Sequence, residues 1–243
     1  MTVYAITQAR LGSERLPGKV LKIVCGKPLL DYHLTRLAQV KGLARTIVAA
    51  PEDDNNQALH DYLEAHQYDY VKGSESNVLK RYYQTATELQ PDDTILRVTA
   101  DCPLICPQLI STMIQQYESA SVDYMRLDTD HVARGFDAEL FKVWMLREAY
   151  EDAESDYDRE HVTPYFYKTA RHYTTAVYKP DLPASNQFRL CVDEMSDLAL
   201  IENVIQAFPE SWQHLDYQAI VEFLTQHPEL VAINKAVVQR NNS

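Results

Sequence analysis

Short strand-like runs alternate with stretches of helical periodicity along most of this chain. Strands are predicted over residues 3–7, 46–50 and 94–98, and a helical stretch follows each of them. This alternation predicts a mostly parallel sheet with helices on both faces, which is a Rossmann-like α/β fold. Because the 243 residues contain no repeat, low-complexity tract or linker, we expect a single domain over residues 1–243.

The second half of the chain gives a less regular pattern. Residues 126–141 lack clear periodicity and are predicted to form an irregular flap. Beyond them, the pattern predicts one helix over residues 159–168 and two strands, over residues 172–177 and 188–192.

The charge balance excludes one class of partner. The chain has 23 lysines and arginines against 35 aspartates and glutamates, which gives a net charge of −12. Sequence-independent binding to DNA or RNA needs a basic face, so no nucleic-acid partner is expected. The sequence shows neither a signal peptide nor an apolar stretch of about 18 residues, and we therefore expect a cytoplasmic protein without a membrane partner. The four cysteines are too few and too scattered for a disulfide framework or a zinc site, and free thiols are expected.

Residues 8–19, with the sequence QARLGSERLPGK, follow the first predicted strand. In doubly wound folds, ligands bind at the carboxyl ends of strands. Gly12 lets the backbone approach an anion closely, and Arg10, Arg15 and Lys19 can neutralise a polyphosphate. The segment is neither the phosphate loop of ATPases nor the dinucleotide-binding fingerprint. A solvated basic loop is the alternative interpretation, but a cluster of cations at a strand end in an acidic chain favours phosphate binding.

Five motifs share one order along the chain. They are the loop of residues 8–19, GKPLL at residues 26–30, GSESNVLKRYY at residues 73–83, RVTADCPLI at residues 97–105 and REHVTPY at residues 159–165. In these motifs the chain resembles the cytidylyltransferases that activate acidic sugars, such as acylneuraminate and 3-deoxy-manno-octulosonate, and most of all a branch of spore coat polysaccharide biosynthesis proteins. The resemblance implies the fold of nucleotide-diphospho-sugar transferases, a Mg²⁺ cofactor and a homodimer. It also implies that CMP is transferred from CTP to a sugar-type acceptor with release of pyrophosphate.

Two carboxylates are candidates for the metal site. Asp101 lies just past the strand predicted over residues 94–98, and Mg²⁺ prefers oxygen ligands. A lone aspartate in a loop is more often a turn or cap residue, but residues 99–104 match the metal-binding segment of the family. Asp193 follows the strand predicted over residues 188–192, where the family has a VDTPEDL-type segment and this chain has Glu194 and Met195 in place of Thr-Pro. A helix N-cap is the alternative role for Asp193.

The expected reaction is an in-line attack by an acceptor oxygen on the α-phosphorus of CTP. Asp101 and Asp193 would hold Mg²⁺, and the loop cations would bind the β- and γ-phosphates. The expected catalytic residues are Arg10, Arg15, Lys19 and Asp101.

The resemblance also implies a wider nucleotide-binding set: Gln8, Ala9, Arg10, Gly12, Ser13, Arg15, Lys19, Gly73, Ser74 and Arg81. Backbone groups near Ala9 and in residues 72–74 would read cytosine, because a matched pocket leaves uracil with unsatisfied hydrogen bonds. Arg81 is either a further contact to the base or a surface cation.

Three residues are candidates for binding the acceptor. Asp137 and Glu139 belong to a segment that resembles the GLDVE of the family, and they are expected on one strand face, where they would orient sugar hydroxyls. His161 is predicted near a helix start, as a general base, a hydrogen-bond partner or a structural histidine. Arg134 and Lys142 are further candidates if the acceptor is acidic.

Two other functions stay open at this point. Residues 128–130 have the Asp-x-Asp form that glycosyltransferases use to bind the metal of a sugar nucleotide, but they lie away from the strand end where the metal is expected. A nucleotide-binding regulator without turnover is the second alternative, and the presence of both carboxylates and all three loop cations argues against it.

Overall fold

The computed structural model describes residues 1–168 and 173–238. The described residues contain ten α-helices: α1 (Leu29–Leu37), α2 (Gln57–Ala65), α3 (Val78–Thr85), α4 (Pro107–Ala120), α5 (Val143–Asp152), α6 (Asp156–His161), α7 (Pro164–Lys168), α8 (Met195–Ala207), α9 (Tyr217–Gln226) and α10 (Pro228–Val231). The same residues contain nine strands: β1 (Val3–Gln8), β2 (Ile23–Val24), β3 (Lys27–Pro28), β4 (Leu43–Pro51), β5 (Tyr70–Gly73), β6 (Thr94–Thr99), β7 (Tyr124–Leu127), β8 (Glu139–Lys142) and β9 (Thr175–Tyr178).

Seven of these strands form one sheet in the order β5-β4-β1-β6-β8-β7-β9. Strand β8 is antiparallel to both of its neighbours, and the other six strands share one direction. Strands β2 and β3 form a separate hairpin. The predicted mostly parallel sheet is confirmed. No helix in residues 1–168 and 173–238 has the length and apolar character needed to cross a membrane.

Helices cover both faces of the sheet, as predicted. Successive residues of a strand point to opposite faces. Leu96 therefore packs in the cluster formed with α4, α8 and α9, whereas Ile95 packs in the cluster formed with α3, α5 and α7. On the same alternation, Arg97 and Thr99 point to the face that carries α3 and α5.

The single helix predicted over residues 159–168 is wrong. Helix α6 ends at His161 and α7 begins at Pro164, and Val162 between them has a positive φ of 69°. Proline lacks a backbone N–H and disfavours helical geometry in the preceding residue, so the chain turns at Thr163. This turn carries the chain from α6 into α7 beside the sheet.

The strand predicted over residues 188–192 is also wrong. This segment makes one isolated bridge, between Arg134 and Arg189, and is otherwise irregular. Leu190 and Val192 are fully buried, so their apolar character reflects packing and not a sheet ladder. The strand predicted over residues 172–177 corresponds to β9, although His172 lies outside the described residues.

The irregular segment is shorter than the predicted range of 126–141. Strand β7 extends to Leu127 and β8 begins at Glu139, which leaves residues 128–138 between them. Val132, Ala133 and Phe136 are fully buried. The segment is therefore packed into the core and is not a free-standing flap.

Candidate active site

A cleft of about 1070 Å³ opens at the carboxyl ends of β1 and β6 and extends over β7, β8 and β9. Its volume is at the upper end of the range for small-molecule sites, which suits two substrates. Thirteen of the predicted site residues line it: Gln8, Ala9, Arg10, Gly12, Ser13, Arg15, Lys19, Arg81, Asp101, Asp137, Glu139, His161 and Asp193. Gly73 and Ser74 do not.

Two kinds of hydrogen bond fix the loop of residues 8–19: bonds within its own backbone and a bond to Asn56, the residue just before α2. The Gly18 N–H donates to the carbonyl of Leu11 at 2.9 Å, and the Leu11 N–H donates to Oδ1 of Asn56 at 2.8 Å. Gly18 has a φ of 68° and precedes a 3₁₀ turn that starts at Lys19. A left-handed backbone conformation at this position favours glycine, and the turn directs Lys19 into the cleft.

Lys19 is the centre of the site. Its Nζ donates to Oδ2 of Asp101 at 2.7 Å, to the carbonyl of Val192 at 2.8 Å and to Oδ1 of Asp193 at 3.0 Å. Burial alone would lower the pKa of Lys19, but the two carboxylates outweigh it and raise that pKa above its ordinary value. Lys19 is therefore a cation held between both predicted metal ligands.

Asp101 is ionised at neutral pH. Burial opposes its ionisation, yet the charge and hydrogen bond of Lys19 lower the pKa of Asp101 to about 2. The carbonyl of Asp101 accepts a hydrogen bond from the Val192 N–H at 2.8 Å. This backbone contact brings Asp193 to Asp101, although the two lie far apart in sequence.

Asp193 is not a helix cap. Glu194 is the N-cap of α8 and forms a capping box with Asp197. Asp193 pairs with Arg15 at 3.0 Å and with Arg189. Arg189 also pairs with the buried Asp197 at 3.0 Å. Neither Arg189 nor Asp197 was predicted as a site residue, although each lies four residues from Asp193 in the sequence.

Gly73 and Ser74 are not among the residues that line the cleft, and their predicted role in reading cytosine stays a prediction. The carbonyl of Ser74 accepts a hydrogen bond from Nη1 of Arg81 at 2.7 Å, and its N–H donates to Gln84 at 2.9 Å. A Cβ at Gly73 would lie 2.8 Å from Oε1 of Gln84, the atom that accepts the Ser74 N–H, and 3.1 Å from Cα of Arg81, so a side chain here would crowd both. Arg81 is 1% exposed, so the alternative of a surface cation is wrong. It supports this loop and lines the cleft.

The acceptor candidates do not share a strand face as expected. Asp137 lies in the irregular segment, where its Oδ2 accepts a hydrogen bond from the Gly135 N–H at 2.8 Å. Glu139 is the first residue of β8 and accepts hydrogen bonds from Arg97 and, at 2.7 Å, from the hydroxyl of Tyr124. Both oxygens of Glu139 are therefore occupied by protein groups.

The two basic candidates for an acidic acceptor differ. Arg134 lines the cleft. Lys142 lies at the opposite end of the sheet, where its Nζ donates to the carbonyl of Asp92 and to Oγ1 of Thr94, both at 3.1 Å. The prediction that Lys142 binds the acceptor is wrong. Strand β8 begins in the cleft at Glu139 and ends away from it at Lys142.

His161 lies at the end of α6 and lines the cleft, with its ring centroid 4.5 Å from that of Tyr157. Burial lowers the pKa of His161, and the positive charges of Arg97 and Lys168 lower it further against the opposing effect of Glu160. His161 is therefore neutral at pH 7 and able to accept a proton.

The Asp-x-Asp sequence of residues 128–130 forms a turn. Oδ1 of Asp128 accepts a hydrogen bond from the Asp130 N–H at 3.1 Å, and the carbonyl of Asp128 accepts one from the His131 N–H at 3.0 Å. Asp130 reaches the cleft wall, but Asp128 does not. The two side chains therefore do not both face the cleft.

Unsatisfied polar atoms concentrate in the cleft. Within the described residues, four cleft side chains have a buried atom without a hydrogen-bond partner: Oε1 of Gln8 and Nε of Arg81, Arg97 and Arg134. Such atoms are rare in native proteins, and a group of them in one cleft is typical of a site that binds a polar ligand.

A sequence model of the cytidylyltransferase family matches residues 4–227. The chain belongs to this family. It is 30% identical over 242 residues to an uncharacterized protein of Methanocaldococcus jannaschii, MJ1063, covering 99% of this chain and 98% of that one. It is 27% identical over 240 residues to the spore coat polysaccharide biosynthesis protein SpsF of Bacillus subtilis, covering 96% and 98%. A solved cytidylyltransferase from Leptospira borgpetersenii has the same fold, with a TM-score of 0.88, 24% identity and coverage of 98% and 100%.

Proposed function

We propose that this member of the cytidylyltransferase family transfers CMP from CTP to a sugar-type acceptor in a magnesium-dependent reaction that releases pyrophosphate. One observation carries the proposal. Lys19, from the basic loop, meets Asp101 and Asp193 within 3.0 Å, while Arg10 and Arg15 of the same loop line the same cleft. Cations that can bind a triphosphate and carboxylates that can bind its metal ion therefore lie in the same cleft.

The oxygen atoms that surround the Lys19 ammonium are of the kind that bind Mg²⁺. Asp101, Asp193 and the carbonyl of Val192 supply only oxygen, which Mg²⁺ prefers. In the described residues no group of three His, Cys, Asp or Glu side chains could hold a metal, so the two aspartates would share the ion with phosphate oxygens and water. When bound, Mg²⁺ would polarise the α-phosphate of CTP.

The chain's own cations would carry the rest of the phosphate chemistry. Arg10 is exposed and lines the cleft, whereas Arg15 is paired with Asp193. Both are placed to bind the β- and γ-phosphates and to stabilise charge on the departing pyrophosphate. Lys19 would move from the carboxylates to the phosphates when nucleotide binds.

For the acceptor, we propose His161 as the group that accepts a hydrogen bond or proton from the attacking hydroxyl. Its neutral state at pH 7 and its position in the cleft wall support this role. Asp137, which also lines the cleft, would orient a sugar hydroxyl through the oxygen that Gly135 does not occupy.

A panel of substrates tests the proposal. CTP, UTP, ATP and GTP are each incubated with Mg²⁺ and a set of acidic and neutral sugars, and nucleotidyl products are identified by mass spectrometry. We expect a CMP-sugar from CTP alone. A clear preference for another nucleotide, or no nucleotidyl product at all, would contradict it.

A pair of variants tests the site. Asp101→Asn should reduce pyrophosphate release by roughly 100- to 1,000-fold while circular dichroism stays unchanged. Asp92→Asn is the matched control, because Asp92 is exposed and does not line the cleft. Wild-type turnover in Asp101→Asn would remove Asp101 from the mechanism.

We also propose that the protein acts as a homodimer in the cytoplasm, as its resemblance to acidic-sugar cytidylyltransferases implies. Light scattering of the purified protein tests the dimer, and fractionation of cells tests the location. A monomer at working concentration would contradict the first part.

A further inference from the structure

A buried carboxylate lies behind the proposed metal site. Asp197, in the first turn of α8, is 1% exposed. Its Oδ2 accepts hydrogen bonds from the N–H groups of Asp193 at 2.9 Å and Glu194 at 3.0 Å. Its Oδ1 accepts from Nε of Arg189 at 3.0 Å and from Nδ2 of Asn234 at 2.9 Å. A buried charge is costly unless it is paired and hydrogen-bonded, and these four donors meet that need. The capping box accounts for Oδ2 alone, so Oδ1 serves a second purpose.

Arg189 joins this carboxylate to the proposed metal site. Its Nε donates to Oδ1 of Asp197, and its Nη2 donates to Oδ2 of Asp193. A guanidinium is planar and rigid, so a partner that fixes Nε also fixes the direction in which Nη2 points. The Arg189 side chain is 11% exposed, and little water competes for the two bonds. Asp197 therefore controls the orientation of the Asp193 carboxylate through Arg189.

Asn234 brings the C-terminal segment to the same place. It follows α10 and is 3% exposed, although Ile233 and Lys235 on either side of it are exposed. Its Nδ2 donates both to Oδ1 of Asp197 and to the carbonyl of Arg189, the latter at 3.0 Å. A carboxylate and a carbonyl only accept hydrogen bonds, so the amide must turn its nitrogen toward them. Asn234 thus ties the side chain of Asp197 to the backbone of Arg189.

We refer to Arg189, Asp197 and Asn234 as the C-terminal anchor. Its three side chains are not among those that line the cleft, and the anchor reaches the cleft through Asp193. The negative charge of Asp197 balances the positive charge of Arg189. Without Asp197, the charge of Arg189 would weaken the attraction of Asp193 for a metal ion. The anchor therefore fixes Asp193 without cancelling its charge.

The other cations at Asp193 differ from Arg189 in how they are supported. Arg15 and Lys19 belong to the loop of residues 8–19, and both are proposed to bind phosphates. Arg189 is instead held from behind by Asp197. If the loop cations turn to a nucleotide, Arg189 stays on Oδ2 of Asp193. Oδ1, which Lys19 then leaves, becomes the oxygen available to a metal ion.

We propose that the C-terminal anchor positions Asp193 for metal binding, by holding Oδ2 so that Oδ1 is left for the ion. Asn234 is then a positioning residue, although it lies outside the cleft. This inference rests on the proposed function, because it concerns the metal site of that reaction. It makes the segment that follows α10 a requirement for metal-dependent binding of the nucleotide.

Calorimetry with CTP, in excess Mg²⁺ and separately in EDTA, tests the anchor through Asn234→Ala. Acceptor is left out, so no CMP is transferred. In Mg²⁺ the variant should bind CTP roughly tenfold more weakly than wild type, because a residue that supports a metal ligand has been removed. In EDTA its affinity for CTP should stay within about twofold of wild type, because the loop cations are distant from the change.

Asp197→Asn tests the same chain of contacts at its centre. The asparagine keeps one oxygen for the two N–H groups ahead of α8 but turns an amide nitrogen toward Nε of Arg189. In Mg²⁺ it should weaken CTP binding at least as much as Asn234→Ala. The double variant should bind CTP no more weakly than Asp197→Asn alone, because two changes in one chain of contacts are not additive.

Asn203→Ala is the matched control. Asn203 lies in α8, also donates from Nδ2 to a backbone carbonyl, that of Ala199 at 2.8 Å, and does not line the cleft. This variant should bind CTP as wild type does in both conditions.

Three results would overturn the proposal. The first is equal weakening of CTP binding in Mg²⁺ and in EDTA by Asn234→Ala, which would show a merely structural role. The second is wild-type affinity of that variant in both conditions. The third is a wild-type protein whose affinity for CTP does not respond to Mg²⁺. In that case the proposed metal site itself fails, whereas the first two results remove the anchor alone.

Discussion

The ammonium of Lys19 lies 2.7 Å from Oδ2 of Asp101, between the two carboxylates of the proposed metal site. The same nitrogen is 3.0 Å from Oδ1 of Asp193. The chain therefore supplies its own cation to the proposed metal site. The negative charge of Asp101 raises the pKa of Asp193, and the positive charge of Lys19 opposes this effect.

Replacement of Lys19 by methionine should change metal binding in a predictable direction. With the ammonium gone, Asp101 and Asp193 lack their shared partner, and Mn²⁺ should bind about tenfold or more tightly than in wild type in the absence of nucleotide. Electron paramagnetic resonance of free Mn²⁺ measures this affinity. Without metal, the variant should lose about 3 kcal/mol of stability, because a buried charge pair has been broken.

The control for this prediction is Lys22→Met, which changes a nearby lysine that does not line the cleft. Its Mn²⁺ affinity should equal that of wild type. If Lys19→Met also binds Mn²⁺ no better than wild type, the two carboxylates do not form a metal site on their own.

Much of this architecture could be predicted from sequence, and the reason is local. The apolar runs of β1 and β6, and the loop between β1 and Lys19, are read from neighbouring residues, and the structure places them as expected. Asp101 was predicted from its position just past β6 together with the match of residues 99–104 to the metal-binding segment of the family. Local patterns set these elements, so one sequence is enough to find them.

The errors arise where contacts between distant segments decide the structure. Leu190 and Val192 look like a strand, but their N–H groups bond to Arg134 and Asp101, far away in sequence. Arg97 and Arg126, which line the cleft on either side of Glu139, were missed because they lie in β6 and β7, and β8 enters the sheet between those two strands. Glu139 was predicted to bind the acceptor, and only the pairing register reveals that Arg97 occupies it.

Arg36 should be essential for stability although it lies outside the cleft. It is fully buried in α1, and its guanidinium donates to the carbonyls of Ile105 at 2.7 Å, of Leu215 at 2.6 Å and of Trp212. Burial lowers the pKa of Arg36 to about 10, so it stays charged. Arg36→Lys supplies one nitrogen for three separate carbonyls, and we expect urea denaturation to show a loss of about 3–5 kcal/mol.

The exposed pair of Arg45 and Asp69 provides the comparison for Arg36. Both side chains are about half exposed, so Arg45→Lys should change stability by less than about 1 kcal/mol. Equal losses in the two variants would mean that the carbonyl contacts of Arg36 contribute little.

His33 should make the protein less stable in mild acid. Its ring bridges Oγ1 of Thr7 and the carbonyl of Cys102, each at 2.9 Å. Burial lowers the pKa of His33 from 6.5 to about 4, against smaller opposing effects of Cys102 and Asp101. Between these two pH values the unfolded chain binds a proton that the folded chain does not. Stability contributed by His33 is therefore complete above pH 6.5 and is lost as pH falls to 4, by about 3 kcal/mol.

Urea denaturation between pH 4 and pH 7.5 measures this effect in wild type and in His33→Gln, whose side chain does not titrate. The variant should be less stable than wild type at pH 7.5. Between pH 7.5 and pH 4 its free energy of unfolding should fall less steeply than that of wild type, because one fewer proton is taken up on unfolding. His66→Gln, which changes an exposed histidine, should keep the wild-type slope. An unchanged slope in His33→Gln would exclude His33 as its source.

Gly135 should be required for the shape of the cleft. It has a φ of 106°, and a Cβ there would lie 2.6 Å from the carbonyl carbon of Leu190 and 2.8 Å from the nitrogen of Cys191. Both contacts are with backbone, which cannot yield by a side-chain rotation. Gly135→Ala should therefore displace the segment that carries Asp193, with a loss of about 2–4 kcal/mol in urea denaturation and weaker CTP binding in calorimetry.

Gly26→Ala, the control for Gly135→Ala, separates backbone strain from steric overlap, because Gly26 has a φ of 85° but nothing within 4 Å of the added carbon. That variant should lose only about 1 kcal/mol and keep its CTP affinity. Equal behaviour of the two variants would show that backbone strain alone, and not contact with Leu190, accounts for the glycine.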